Sequence, residues 1–118
     1  PLTALALLLG LAACSSAPAA EAGGGVDVGP DAIILDVRTP EEYAAGHLEG
    51  AQLLDFNRGE VAAAIPSLDP DAEYLVDCRS GNRSAQAIAL MEQAGFSDLA
   101  NLGSLEQAAS ATGLAIVR

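Results

Sequence analysis

The sequence predicts an α/β domain built on a mainly parallel sheet. Strand-like and helix-like segments alternate from about residue 26 to the end of the 118-residue chain, as in parallel sheets joined by helical crossovers. The nearly continuous apolar run "AIILDV" (32–37) is typical of a strand buried on both faces. Residues 84–95 carry the clearest helical pattern, with apolar residues on one side and Gly95 at the end.

The remaining elements follow from local signals. Thr39 as a cap, Pro40 at the first helical position and acids in the first turn predict a short helix over 39–46. The other predicted elements are a weak strand in "AQLLDF" (51–56), a helix in "RGEVAAAI" (58–65) stopped by Pro66, a strand in "EYLVD" (73–77), a short strand in "DLANL" (98–102), a last helix in "SLEQAASATG" (104–113) and a closing strand in "LAIV" (114–117).

The first residues do not belong to this domain. The run before Cys14 is apolar and uncharged, shorter than the roughly 20 residues of a membrane-spanning helix, and fits the core of a signal peptide. Its basic segment and initiator Met are missing, so we expect residues 1–13 to be a signal-peptide remnant truncated at the N-terminus. The end of the run, Leu11–Cys14, resembles the lipobox of bacterial lipoproteins, in which the chain is cut before the cysteine and the thiol carries a diacylglycerol. A plain secretory signal with an incidental Cys14 is the alternative.

Residues 15–25, "SSAPAAEAGGG", are small residues that cannot bury a core, and they are typical of a flexible tether. The predicted organisation is therefore a lipidated Cys14 with its tether over 14–25 and one folded domain over 26–118. This arrangement predicts an exported protein, anchored to a membrane of the bacterial cell envelope through the lipid on Cys14.

The charge of the chain limits its partners. The chain has sixteen acidic side chains, five arginines and no lysine, which gives it a net charge of -11. A nucleic-acid partner is excluded because phosphates need a basic footprint, and electrostatic attraction to anionic lipid is excluded in the same way. A small anionic ligand needs a local exception to this acidic surface.

The stretch "CRSGNRSA" (78–85) supplies that exception, since two of the five arginines lie within it. Cys78 follows a predicted strand and precedes a predicted helix, where loop amides and the helix dipole form an anion site. Gly81 permits a tight turn, and Asn82 or Ser84 can cap the helix. We therefore expect a lowered thiol pKa and a nucleophilic cysteine. A buried structural cysteine and a Cys14–Cys78 disulfide are the alternatives.

Three segments resemble single-domain rhodaneses, the thiosulfate sulfurtransferase family. They are "ILDVRTPEEYAAGHLEGA" (34–51), "CRSGNRSAQAIALMEQAGF" (78–96) and, more weakly, "NLGSLEQA" (101–108). The resemblance implies a mainly parallel five-stranded sheet with helices on both sides. It also implies that Cys78 accepts a sulfane sulfur as a persulfide and passes it to cyanide or a thiol, without a cofactor or metal.

In this family the residues of the loop bind the substrate. The resemblance implies that the backbone amides of Arg79, Ser80, Gly81, Asn82 and Arg83 hold the persulfide. Arg79 and Arg83 would dock an anionic donor such as thiosulfate. A persulfide and a thiolate both bring negative charge into the loop, which its amides stabilise.

Other matched residues are expected to be structural. Asp36 and Arg38 would fix the fold, with Arg38 paired to Glu41 or Glu42 of the next helix. His47 is the only histidine, so neither a metal cluster nor a Cys-His-Asp triad can be built around it, and we expect a structural role.

The chain departs from the family's usual pattern at two positions, where Ser104 replaces a glycine and Ala108 replaces a tryptophan. A separate concern is Asp77, which directly precedes the expected nucleophile. A carboxylate facing the thiolate would raise its pKa, but strand alternation predicts that Asp77 points to the other face.

Two alternative functions differ in class. A membrane-tethered persulfide carrier needs the same loop as an enzyme, so sequence alone does not separate the two. Cysteine phosphatases and arsenate reductases of related fold commonly use Cys-x5-Arg. Here Arg83 gives Cys-x4-Arg, a smaller loop that suits sulfur better than phosphate. We expect a monomer.

Overall fold

The computed structural model describes residues 26–118. The predicted signal remnant, Cys14 and the tether lie outside these residues and remain predictions. Within 26–118, no helix is long and apolar enough to cross a bilayer.

Six strands and four α-helices form the domain. The strands are β1 (Ile33–Asp36), β2 (His47–Leu48), β3 (Gln52–Leu53), β4 (Tyr74–Cys78), β5 (Leu99–Ser104) and β6 (Ile116–Val117). The helices are α1 (Pro40–Ala45), α2 (Glu60–Ala64), α3 (Asn82–Gln93) and α4 (Leu105–Thr112), with 3-10 turns at Phe56–Arg58 and Ile65–Ser67. The predicted helix over 84–95 therefore begins and ends two residues earlier.

The predicted α/β class is confirmed. Strands β3, β1, β4 and β5 form a sheet in that order, and all three neighbouring pairs are parallel. Cys78 is the last residue of β4, a central strand whose five residues are all buried. The nucleophile candidate thus lies at the carboxyl edge of the sheet, where ligands of such folds bind.

The strand expected as the fifth of the parallel sheet, β6, lies outside that sheet. Among the described residues the parallel sheet has four strands, and β6 pairs antiparallel with β2 in a separate two-stranded sheet. The pairs are His47 with Val117 and Leu48 with Ile116. A two-residue strand carries too short a pattern to be recognised from sequence, which is why β2 was not predicted.

The sheet separates two apolar clusters. One contains Cys78, Leu35 and Val76 with residues of α2 and α3, while the other contains Ile34, Leu75 and residues of α4. Neighbouring strand residues fall into opposite clusters because side chains alternate across a strand. Cys78 therefore faces α3.

Candidate active site

The loop after β4 is held by the backbone of Gly81. Its φ of 91° lies in the left-handed region, where only glycine avoids a steric penalty. Gly81 is the N-cap of α3, and the helix has no side-chain capping bond. The prediction that Asn82 or Ser84 caps this helix is therefore wrong: Asn82 is already helical, and Ser84 turns towards the cysteine.

The sulfur of Cys78 has two short polar contacts. The amide of Gly81 donates to Sγ at 2.7 Å, and the Ser84 hydroxyl lies 3.2 Å from Sγ. Burial alone would raise the pKa of the Cys78 thiol. The Ser84 hydroxyl and the amides of Ser84, Ser80 and Gly81 outweigh burial, so the pKa falls below its ordinary value. The direction agrees with the sequence analysis.

Cys78 itself is fully buried, with 0% of its surface exposed. Arg79 and Ser80, which follow it, are exposed. The sulfur thus lies just beneath an exposed segment of the loop.

Glu42 of α1 engages both loop arginines. Its carboxylate accepts hydrogen bonds from Arg83 at 3.1 and 3.3 Å and lies 3.7 Å from Arg79. Its Oε1 also accepts a bond from the amide of Thr39 at 2.9 Å, which closes the capping box of α1. Burial opposes ionisation, but these partners dominate and lower the pKa of Glu42 to about 2.

The two arginines differ in availability. The side chain of Arg79 is 78% exposed, whereas that of Arg83 is 18% exposed. Arg79 can swing towards a ligand at little cost, since exposed ion pairs contribute little. Arg83 is fixed by the bidentate geometry of its pair with Glu42.

A cleft of about 560 Å³ opens beside these side chains. Its charged lining consists of two arginines, Arg38 and Arg79, and three carboxylates, Glu41, Glu42 and Glu106. Of the two arginines expected to dock an anion, Arg79 lines this cleft, among acidic neighbours, and Arg83 is not part of its lining. Sequence reasoning placed Glu42 in the structural motif and did not foresee this pairing with the loop.

Arg38 pairs with Asp36, and the predicted pairing with Glu41 or Glu42 is wrong. Nε and Nη2 of Arg38 donate to the two Asp36 oxygens at 2.8 and 2.6 Å, and Nη2 also donates to the Gly46 carbonyl at 2.6 Å. The hydrogen bond to Asp36 raises the pKa of Arg38. Arg38 follows Asp36 by two residues and lies just beyond the end of β1. Its guanidinium can therefore fold back onto the Asp36 carboxylate.

Asp77 lies on the sheet face opposite Cys78, as predicted, and interacts with Asp36 and Arg38. Among the described residues neither of its carboxylate oxygens has a hydrogen-bond partner. Burial, and next the charge of Asp36, raise the pKa of Asp77 to about 7.

His47 contacts the helix that precedes it. Its ring stacks on Tyr43 with centroids 3.7 Å apart, and Nδ1 lies 2.9 Å from the Tyr43 carbonyl oxygen. These contacts suit the structural role expected for it. No group of three His, Cys, Asp or Glu side chains within residues 26–118 could hold a metal ion.

Two site residues were missed in sequence reasoning. Ser84 was considered only as a helix cap, although it lies six positions after Cys78. Asn101 of β5 was noted only as part of a weak motif, yet its side chain contacts both Ser84 and Gly81. No local signal marks Asn101, because its partners are brought to it by the pairing of β4 with β5.

The fold and the site define an α/β domain with a hydrogen-bonded cysteine at the carboxyl edge of its parallel sheet. The chain belongs to the rhodanese-like domain family, whose sequence profile matches residues 20–110. Members of this family include sulfurtransferases, as the relatives below indicate by name.

The thiosulfate sulfurtransferase GlpE of Pseudomonas putida is 44% identical over 68 residues, which cover 58% of this chain and 60% of GlpE. The probable adenylyltransferase/sulfurtransferase MoeZ of Mycobacterium tuberculosis is 39% identical over 80 residues, which cover 65% of this chain and 20% of MoeZ. The chain therefore spans less than two thirds of either relative.

Solved structures show the same fold. The crystal structure of a rhodanese-like domain from Anabaena matches with a TM-score of 0.64 at 29% identity, covering 75% of this chain and 89% of that one. A rhodanese from E. coli, solved with anions, matches with a TM-score of 0.62 at 27% identity, covering 74% and 98%.

Proposed function

We propose that this protein transfers a sulfane sulfur from an anionic donor such as thiosulfate through a persulfide on Cys78. The Cys78 thiolate attacks the outer sulfur of thiosulfate. The sulfur–sulfur bond of the donor breaks, and sulfite leaves with the electron pair. Cyanide or a thiolate then attacks the outer sulfur of the persulfide and releases the Cys78 thiolate. The sulfur atom is transferred first to Cys78 and then to the acceptor, and no external oxidant or reductant is needed.

The observation that carries the proposal is the donation of the Gly81 amide to Sγ at 2.7 Å. This donor is fixed by the backbone, so it stabilises negative sulfur without rearranging when charge develops. The lowered pKa of the Cys78 thiol favours the attacking thiolate. It also favours the second step, because a thiol of lower pKa is a better leaving group.

Arg79 is the residue we assign to donor docking. Its exposed guanidinium borders the cleft, and within residues 26–118 its one ion pair is the contact of 3.7 Å with Glu42. Arg83 instead acts through Glu42 by fixing α1 against the loop. Each arginine therefore contributes differently to the site.

A membrane-tethered persulfide carrier is the second candidate, favoured by two observations. Cys78 is completely buried, and Glu42 already occupies the arginines that would attract a dianion. A carrier would receive its sulfur from a partner protein that opens the loop. Turnover with a small acceptor separates the two functions.

The test loads the protein with thiosulfate and measures its mass. A sulfurtransferase gains the mass of one sulfur atom on Cys78, and Cys78→Ser gains nothing. Steady formation of thiocyanate on adding cyanide supports the enzyme, while loading without turnover supports the carrier. Absence of the adduct with thiosulfate and with other sulfane donors would contradict both.

We also propose that Cys14 carries a lipid that anchors the protein to a membrane of the bacterial envelope. The support is the small-residue sequence before Cys14 and the flexible composition of residues 15–25. Expressed with a complete signal peptide in a bacterium, the wild-type protein should be found in the membrane fraction and Cys14→Ala in the soluble fraction. A variant that stays with the membrane would contradict the anchor.

A further inference from the structure

The hydroxyl of Ser84 has more potential acceptors than hydrogens. It lies 2.6 Å from Asn101 Oδ1, 3.1 Å from the Gly81 carbonyl oxygen and 3.2 Å from Cys78 Sγ. Ser84 is fully buried, and a hydroxyl carries a single hydrogen. These three atoms therefore compete for one donor.

The orientation of the Asn101 amide follows from its main-chain partners. The Gly103 amide donates to Oδ1 at 2.9 Å, and Nδ2 donates to the Gly81 carbonyl oxygen at 3.1 Å. If the amide were flipped, Nδ2 would face the Gly103 amide, donor against donor. Oδ1 would then face the Gly81 carbonyl oxygen, acceptor against acceptor. The atom facing Ser84 at 2.6 Å is therefore an acceptor, and Ser84 must donate to it.

While Ser84 donates to Asn101, it can meet Cys78 only by accepting the hydrogen of the thiol. Once Cys78 is ionised, its sulfur has no hydrogen to give to Ser84 and is instead stabilised by hydrogen-bond donors. The hydroxyl must then turn to Sγ and give up its shortest hydrogen bond.

We propose that Asn101 is a positioning residue that competes with Cys78 for the single hydrogen of Ser84 and thereby favours uncharged sulfur at this position. The proposal concerns the thiol itself. It extends to the cycle only if the proposed sulfur transfer is correct: in a persulfide, Sγ is uncharged and the negative charge lies on the outer sulfur. Asn101 then favours the loaded form and slows departure of the Cys78 thiolate.

The experiment measures the rate of Cys78 alkylation by iodoacetamide as a function of pH. All variants carry Cys14→Ala, so that Cys78 is the only thiol in the chain. The midpoint of the profile should fall by about one pH unit in Asn101→Ala, the equivalent of about one neutral hydrogen bond. Ser84→Ala should raise it, because the thiolate loses a donor.

The double variant Ser84→Ala/Asn101→Ala distinguishes competition from a merely structural effect. Without the hydroxyl there is nothing to compete for, so the Asn101 substitution should leave the midpoint of Ser84→Ala unchanged. An unchanged or raised midpoint in Asn101→Ala, or the same fall in both backgrounds, would overturn the proposal.

Asn101→Asp keeps the acceptor that faces Ser84 and the size of the side chain, although it loses the donor to the Gly81 carbonyl, and it tests the proposal if the alanine variant does not fold. The charged acceptor holds the Ser84 hydrogen more firmly, so the midpoint should rise. The rise should be smaller in the Ser84→Ala background, and an equal rise would contradict the competition. Alkylation needs no sulfur donor, so these outcomes are independent of whether the protein transfers sulfur.

Discussion

The carboxylate of Glu42 accepts two hydrogen bonds from Arg83, 41 residues further along the chain, at 3.1 and 3.3 Å. The same carboxylate caps the first turn of α1 and lies 3.7 Å from Arg79. One acidic side chain thus joins the α1 segment to the cysteine loop. It also neutralises the cations that would attract the proposed anionic donor.

Removing the charge of Glu42 should therefore improve donor binding. In Glu42→Gln the KM for thiosulfate should fall about fivefold, equivalent to the loss of about 1 kcal/mol of competing ion pairing. Glutamine can still close the capping box, but the charge of the Arg83 pair is lost, so stability should fall by about 1 kcal/mol. Steady-state kinetics with cyanide as acceptor give the measurement.

Glu41→Gln is the matched control for this substitution. Glu41 lines the same cleft, but in the described part of the chain it forms no ion pair with an arginine. An equal fall in KM for both variants would show a general charge effect and contradict the specific role of Glu42.

Substitution of Gly81 should lower the stability of the protein and also change the reactivity of Cys78. Gly81→Ala forces an alanine to a φ of 91°, at a cost of about 1–2 kcal/mol of unfolding free energy. The strained turn also shifts the amide that donates to Sγ, so the pKa of the Cys78 thiol should rise. Denaturant unfolding and the pH profile of alkylation measure the two effects.

Gly95→Ala controls for the strain. Gly95 has a φ of 98°, and a Cβ there would meet nothing within 4 Å, so its cost in stability should be similar. Reactivity of Cys78 should be unaffected in this variant. If both glycine variants alter the alkylation profile alike, the Gly81 amide is not the specific stabiliser of the thiolate.

Asp77 should make the protein less stable as the pH rises. Its pKa is about 7 in the folded protein, against an ordinary aspartate value of 3.8, so between these values the folded state binds more protons than the unfolded state. Stability therefore falls as the pH rises through this window, by up to about 4 kcal/mol for this group. Asp77→Asn should remove that contribution.

Urea unfolding of wild type and Asp77→Asn at several pH values between 4 and 8 checks the sign. The variant should gain stability relative to wild type as the pH rises. A difference that is independent of pH would mean that Asp77 titrates normally. Its charge would then be compensated in the folded state.

A single substitution in the buried ion pair of Asp36 and Arg38 should destabilise the protein strongly. Asp36 is 0% and Arg38 6% exposed, so Asp36→Asn leaves the guanidinium buried without its counter-ion. The expected loss is about 3–5 kcal/mol of unfolding free energy. The double variant Asp36→Asn/Arg38→Met should recover part of it, whereas an additive loss would contradict the pairing.

Local signals predicted the fold and the position of Cys78 at the end of a strand, but few of the side-chain partners. Thr39 and Pro40 marked α1, and the position of Cys78 between a buried strand and a helix marked the loop. We expected Arg38 to pair with an acid on the next helix, because Glu41 and Glu42 are the acids that follow it most closely in the sequence. Its partner Asp36 lies behind it, at the end of β1.

Partners that are distant in sequence lay beyond such signals. Glu42 meets Arg83 because α1 and the cysteine loop follow neighbouring strands, β1 and β4. Asn101 meets Ser84 because β5 pairs with β4. The strand β6 was recognised but not its partner β2, since pairing of two-residue strands depends on the packing around them.

The most direct test of the account is a single turnover with thiosulfate labelled at its outer sulfur. The label should appear on Cys78 as a persulfide, with unlabelled sulfite released in equal amount, and should then pass to thiocyanate when cyanide is added. Cys78→Ser should release no sulfite. Labelled thiocyanate formed by Cys78→Ser at the wild-type rate, or formed by wild type without a labelled Cys78, would contradict transfer through this cysteine.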